Sequence, residues 1–277
     1  MLISAVFTLT PAQPISLPAN LGRAAHAWFL DWVRACDPAL AEALHAPNQE
    51  RPFTVSNLWG AGRPLRGQVT LTPERPCFLR VTSFGAELSG LLAERLLPEP
   101  PPAIPLLSGE LRVAGLAADG AAHPWAGQTT FQELIQRHTL QPAAPAPRLS
   151  LRFASPTVFR SSGVNVPLPL PGLVFEGLAR RWNAFAPLQI PAEVRRFADE
   201  VMVIARYQLH TEPVSFGNEG ERGIYPGFLG TCSYAFLSHD RYWLGLIHLL
   251  AAFAFYAGVG TRTTMGLGQT RALPLMG

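Results

Sequence analysis

Residues 256–271 read YAGVGTRTTMGLGQTR, and here residue type and spacing come nearest to a ligand-binding chemistry. Gly258, Gly260, Gly266 and Gly268 enclose three threonines, Thr263 among them, and Arg262. Glycine admits positive φ and lets a backbone lie close against a bulky neighbour. Successive N–H groups in such a loop can form a concavity for an anion, and an arginine adds charge-assisted contacts to phosphate. Two nucleotide loops are excluded. A P-loop needs a lysine after its last glycine, and this chain has no lysine. A dinucleotide fingerprint needs a glycine where Thr263 stands, at a strand-to-helix turn. Here the order is reversed: an apolar run, Tyr242 to Tyr256, precedes the loop and a strand-like run, Gln269 to Leu273, follows it. A phosphodiester backbone suits the loop better than a nucleotide; the alternative is a tight packed loop with no ligand.

Other chemistries leave little trace. Arginine stays charged and cannot serve as a general base, so proton transfer near neutrality points to histidine. His123, His138, His210, His239 and His248 are scattered without H-x-x-x-H or H-E-x-x-H spacing. No metal or other cofactor is expected. A G-x-S-x-G elbow is absent from the sequence. Cys36, Cys77 and Cys232 show neither metal-ligand nor disulfide spacing, which suits a reducing cytoplasm.

The elements that must position these residues are legible in outline. With 277 residues, 48% apolar and 15% charged, the chain can bury one large core or two smaller ones. Its net charge of +3 permits an anionic partner without requiring one. The apolar run from Trp243 to Ala257 is shorter than the roughly 20 residues that span a bilayer, so no membrane partner is expected. The opening MLISAVFTLTPAQP lacks the basic start and cleavage site of a signal peptide.

In the first half, LISAVFTLTPA alternates as a strand, and NLGRAAHAWFLDWVRACD is an amphipathic helix with Asn20 as N-cap. PALAEALHA starts a second helical piece on Pro38. RPFTVSNLWG and CFLRVTSF read as strands with a turn-rich stretch between them, GAELSGLLAERLL as a helix, and IPLLSGELRVAGLA as a last strand or strand pair. Proline-rich LQPAAPAP is the expected interdomain linker. The second half repeats the order with RLSLRFASPTVFR, LVFEGLARRWNAFAP, VMVIARYQLHTEPVSF, GFLGTCSYAFL, RYWLGLIHLLAAFAFYAG and GQTRALPL. The expected fold is α+β: two tandem ferredoxin-like βαββαβ domains, residues 1–140 and 148–277.

Four segments carry a family resemblance. GVGTRTTMGLGQTR is similar to the glycine-rich loop G-x-G-x-[RK]-[TS]-[TS]-x-G-x-G of the CRISPR repeat-RNA endoribonucleases. These form the sixth CRISPR-associated protein family, within the repeat-associated mystery protein superfamily. LRFASPTVFR resembles the family's F-x-S-P-T-x-F element, and LVFEGLARRWNAFAP its R-W-N helix. DPALAEALHA resembles the stretch that ends in the family's catalytic histidine, here His45. The resemblance implies metal-independent cleavage of CRISPR precursor transcripts within each repeat, giving crRNAs. The 2′-hydroxyl attacks the phosphate, leaving a 2′,3′-cyclic phosphate and a 5′-hydroxyl. That chemistry needs a base, an acid and positive charge on the phosphorane.

The resemblance makes His45 the proton-transfer residue and gives Arg51, six residues later, the charge-stabilising role. Where some relatives carry a tyrosine this chain has Leu30. His26, four residues earlier, lies on the same helical face and is the second candidate. RNA contacts are expected from Gly258, Gly260, Arg262, Thr263, Gly266 and Gly268, and from Arg160, Ser161 and Arg181. Arg180 and Arg181 are consecutive on a helix and cannot share one face, so one of them is structural or solvent-exposed. Implied partners are repeat RNA and crRNA, a CRISPR effector complex, and a second copy of the chain. The alternative function is a non-catalytic RNA-binding subunit of such a complex, which would need no histidine at position 45.

Overall fold

The computed structural model describes residues 1–46, 49–215 and 224–274. Phe216 and Leu275, at the ends of two expected strands, lie outside the described residues. The chain divides into two units: residues 1–128 with 264–266, and residues 129–263 with 267 onward.

The first unit runs β1 (Leu2–Pro11), β2 (Ile15–Pro18), α1 (Gly22–Cys36), α2 (Pro38–His45), β3 (Phe53–Val55), β4 (Gln68–Leu71) and β5 (Cys77–Ser83). It continues through α3 (Ala86–Leu91), β6 (Ala103–Leu106), β7 (Gly109–Ala117) and β8 (Gly127–Thr129). Four strands lie in the order β3-β5-β1-β7, all antiparallel, which is the ferredoxin-like arrangement. β6 extends the sheet as a hairpin with β7, and β8 pairs with β1. The turn-rich stretch contributes β4, which pairs with β2. Successive side chains on β1 alternate between faces. Ile3, Ala5, Phe7 and Leu9 enter a core with Phe29 and Val33 of α1, while Ser4 points the other way and accepts from Arg80 Nε at 2.8 Å.

The second unit runs α4 (Phe131–Thr139), β9 (Arg148–Thr157), β10 (Phe159–Ser161), β11 (Val164–Val166), α5 (Pro171–Phe185) and α6 (Val194–Val201). It ends with β12 (Met202–Ser215), β13 (Ile224–Phe236), α7 (Arg241–Ala257) and β14 (Thr270–Leu273). The strand order β12-β13-β9-β14 repeats that of the first unit. Both halves are therefore ferredoxin-like, as the element order in the sequence implied. Among the described residues no helix is long and apolar enough to cross a membrane.

The contacts within the structure place α4 with the second unit, and the division falls after Gln128. Phe131 lies edge-on to Trp182 of α5 at 5.0 Å and 6.0 Å from Phe253 of α7. Nor is the proline-rich stretch a free linker. Arg241 Nη2 donates to the carbonyls of Gln141 (3.2 Å) and Pro142 (2.7 Å), and His248 Nε2 lies 2.9 Å from the Ala146 carbonyl. Those side chains bind the segment to α7.

Candidate active site and glycine-rich loop

His45 is placed by a short, well-capped helix. The Asp37 carboxylate accepts the Leu40 N–H at 3.0 Å, and Pro38 holds the first turn, where its missing N–H costs nothing. Leu40, Ala41 and Leu44 turn inward, which leaves His45 exposed at the last helical position. Its Nδ1 lies 3.0 Å from the Ala41 carbonyl oxygen. A carbonyl can only accept, so in the neutral ring Nδ1 carries the hydrogen and Nε2 keeps the lone pair.

His26 occupies a different environment on α1. Its ring stacks on Phe53 of β3, centroids 5.8 Å apart and planes within 12°. Nδ1 is buried and has no hydrogen-bond partner among the described residues. The ring's hydrogen bond to the Thr264 backbone therefore runs from Nε2. Burial pushes the imidazole down to a pKa of about 4; Arg51's charge and, less strongly, His45 push the same way, while the Thr264 bond opposes them. Arg51, half-buried on the approach to β3, thus acts on the same ring as His45. The first unit brings His26, His45 and Arg51 together. Leu30 is 3% exposed and belongs to the core.

The loop departs from expectation. Gly258, Gly260, Gly266, Gly268 and Arg262 all have positive φ. Most of its N–H groups, however, are already satisfied. Those of Gly258, Val259, Thr261 and Gly268 go to the carbonyls of Ala254 (2.9 Å), Gly268 (2.8 Å), Val158 (2.9 Å) and Pro156 (3.0 Å). In the first unit, Gly266 donates to Val55 at 2.9 Å. The expected concavity of free N–H groups is thus a packed loop instead, with Thr263 buried and Arg262 exposed. Arg181 needs a second correction. It is 7% exposed, and its guanidinium donates to the carbonyls of Ala257 (3.1 Å), Gly258 (2.8 Å) and Gly260 (2.5 Å). It holds the loop's shape from beneath, while Arg180 is exposed. Arg160 is also exposed, beside Ser161 on a hairpin whose two turn residues, Ser162 and Gly163, both have positive φ.

Sequence reasoning missed Thr264 and the Ala41 carbonyl, which orient the two imidazoles. Ala41 stands four residues before His45, the spacing at which a helical side chain meets a carbonyl one turn back, so that contact was discoverable. Thr264 acts through its backbone, which residue type does not reveal.

Known proteins resemble this chain in sequence and fold. The CRISPR Cas6 N-terminal domain model matches residues 1–136, and the CRISPR-associated endoribonuclease Cas6 model matches residues 151–270. A Thermus thermophilus Cas6 in a product complex is 28% identical, with 99% of this chain and 100% of that chain covered and a TM-score of 0.79. Another Cas6 product complex is 31% identical, with 99% of both chains covered and a TM-score of 0.75. The curated Mycobacterium tuberculosis CRISPR-associated endoribonuclease Cas6 is 28% identical over 130 residues, 46% of this chain and 40% of that protein. The match thus spans less than half the length of that relative. Two matched domain models and full-length similarity at 31% identity agree with the paired ferredoxin-like units: the chain belongs to the Cas6 family of CRISPR-associated endoribonucleases.

Proposed function

We propose that this chain cleaves CRISPR precursor transcripts within their repeats, without a metal ion, to yield crRNAs. The observation that carries this reading is a pair of imidazoles in unlike environments beside one arginine. Unlike environments divide acid from base. His26, neutral at pH 7 with its lone pair on Nδ1, suits acceptance of the 2′-hydroxyl proton. Nδ1 is covered in the free chain, so this step requires the RNA to displace what covers it. His45, exposed and with Nε2 directed away from its carbonyl anchor, suits donation to the leaving 5′-oxygen when its ring is doubly protonated, since the neutral ring keeps a lone pair on Nε2. Arg51 meets the charge that builds on the phosphorane. This division gives His45 the acid's part and His26 the base's.

The ends would be a 2′,3′-cyclic phosphate and a 5′-hydroxyl, since the nucleophile belongs to the RNA. Similar solved structures described as product and substrate-mimic complexes support RNA binding by this chain. Arg160, Ser161 and Arg262 are the outward groups we assign to the RNA backbone. Gly258, Gly260, Thr263, Gly266 and Gly268 shape the loop that presents Arg262. Three free cysteines suit work in a reducing cytoplasm. End-group analysis of a repeat RNA cut in EDTA tests the proposal: cleavage lost under chelation, or a 3′-hydroxyl product, would contradict it.

A further inference from the structure

Gly22, the first residue of α1, carries no functional group, yet its missing side chain decides where the middle of the glycine-rich loop lies. A Cβ at Gly22 would overlap the Met265 carbonyl and sit 3.1 Å from the Gly266 nitrogen. The segment Thr264–Gly266 therefore rests directly on the first turn of the helix. One turn later on that helix stands His26, whose ring bonds the Thr264 backbone. We propose that Gly22 is a positioning residue: by admitting Thr264–Gly266 onto α1, it brings the Thr264 carbonyl to His26 and fixes the tautomer that leaves Nδ1 as acceptor. The inference rests on the reading of His26 as the proton acceptor.

Independent contacts hold the same junction. Gly266 donates to Val55 at 2.9 Å and forms a parallel bridge with Ser56 at the end of β3. Asn57 accepts the Leu21 N–H and donates to the Ala19 carbonyl, each at 2.8 Å, tying the start of α1 to that strand. Gly266 itself has φ +96°, and a Cβ there would lie 3.2 Å from the Asn57 nitrogen. Helix propensity argues the other way. Alanine at Gly22 would favour the helix by up to about 1 kcal/mol, so close approach is the reason for glycine. The groups acting on His26 are Arg51 from the approach to β3, His45 from the end of α2, and the uncharged Thr264 carbonyl.

The test reads the His26 tautomer by imidazole nitrogen-15 NMR and the cleavage rate at saturating RNA. Wild type should show His26 protonated at Nε2; a ring protonated at Nδ1 would overturn the proposal before any variant is made. Gly22→Ala should give mixed tautomers and a rate lower by about 10–100-fold, the cost of a small misplacement. Its RNA dissociation constant should stay within about twofold, since the loop's outward arginine is untouched. Gly266→Ala, a milder displacement, should move both readouts in the same direction and serves if Gly22→Ala does not fold. Wild-type rate and tautomer in either folded variant would overturn the inference, as would a loss confined to binding. Activity retained by His26→Ala would instead sink the underlying reading while leaving the wild-type tautomer result standing.

Discussion

The Nδ1 of His45 sits 3.0 Å from the Ala41 carbonyl, whereas the hydrogen bond of His26 to Thr264 leaves that ring's Nδ1 without a partner among the described residues. Two backbone carbonyls thus hold two imidazoles in opposite tautomers. The open lone pair is Nε2 on one ring and Nδ1 on the other. Acid–base catalysis needs two such differentiated groups, and Arg51 biases the buried one toward neutrality.

The pH profile should show this. His26 must be neutral to accept a proton, so kcat/KM falls as pH drops through its pKa of about 4. Arg51's charge lowers that pKa, second only to burial. In Arg51→Ala the acid limb therefore moves upward, toward the ordinary 6.5, on top of a lower rate at every pH. In His26→Ala that limb should vanish. An acid limb unmoved by loss of Arg51 would mean that another group sets it.

Stability should also depend on pH through histidines. His26 and His138 titrate at 6.5 when unfolded and are pushed to about 4 when folded, by burial first and by neighbouring positive charge second. Between those values the unfolded chain binds more protons, so stability is full above 6.5 and declines as pH falls toward 4. Thermal midpoints at pH 7.5 and 4.5 test this. His138→Phe should shrink the difference seen in wild type; an equal drop in both would contradict the linkage.

Two arginines should separate fold from RNA binding. Arg181→Ala leaves the carbonyls of Ala257, Gly258 and Gly260 without their buried donor, at roughly 1–3 kcal/mol for such a group, and should lower the thermal midpoint by several degrees. Arg160→Ala should leave the midpoint unchanged, weaken RNA binding, and reduce its salt slope by about one. The opposite pattern would show that the two roles have been exchanged.

Much of the fold was legible because its signals are local and periodic. The alternation of β1 and the apolar face of α1 predicted both elements, and the doubled order of strands and helices implied the doubled ferredoxin-like fold. The Thr130 and Glu133 capping box that starts α4 was also readable, whereas the packing of α4 within the second unit was not. His45, His26 and Arg51 were singled out from motif and helical spacing. Arg181 was misplaced because sequence does not say which of two adjacent arginines faces inward. Backbone carbonyls did the rest: Ala41, Thr264 and the loop's own oxygens orient the site, and carbonyls look alike in any sequence.

The most direct test is cleavage of an end-labelled repeat RNA, in EDTA, by wild type and His45→Ala. Wild type should cut once per repeat and leave a cyclic phosphate. The variant should lose about 10²–10⁴-fold in rate with RNA affinity intact. Cleavage at the wild-type rate by His45→Ala would remove that residue from the mechanism. Tight binding by both proteins with no cleavage by either would make this chain an RNA-binding subunit and not a nuclease.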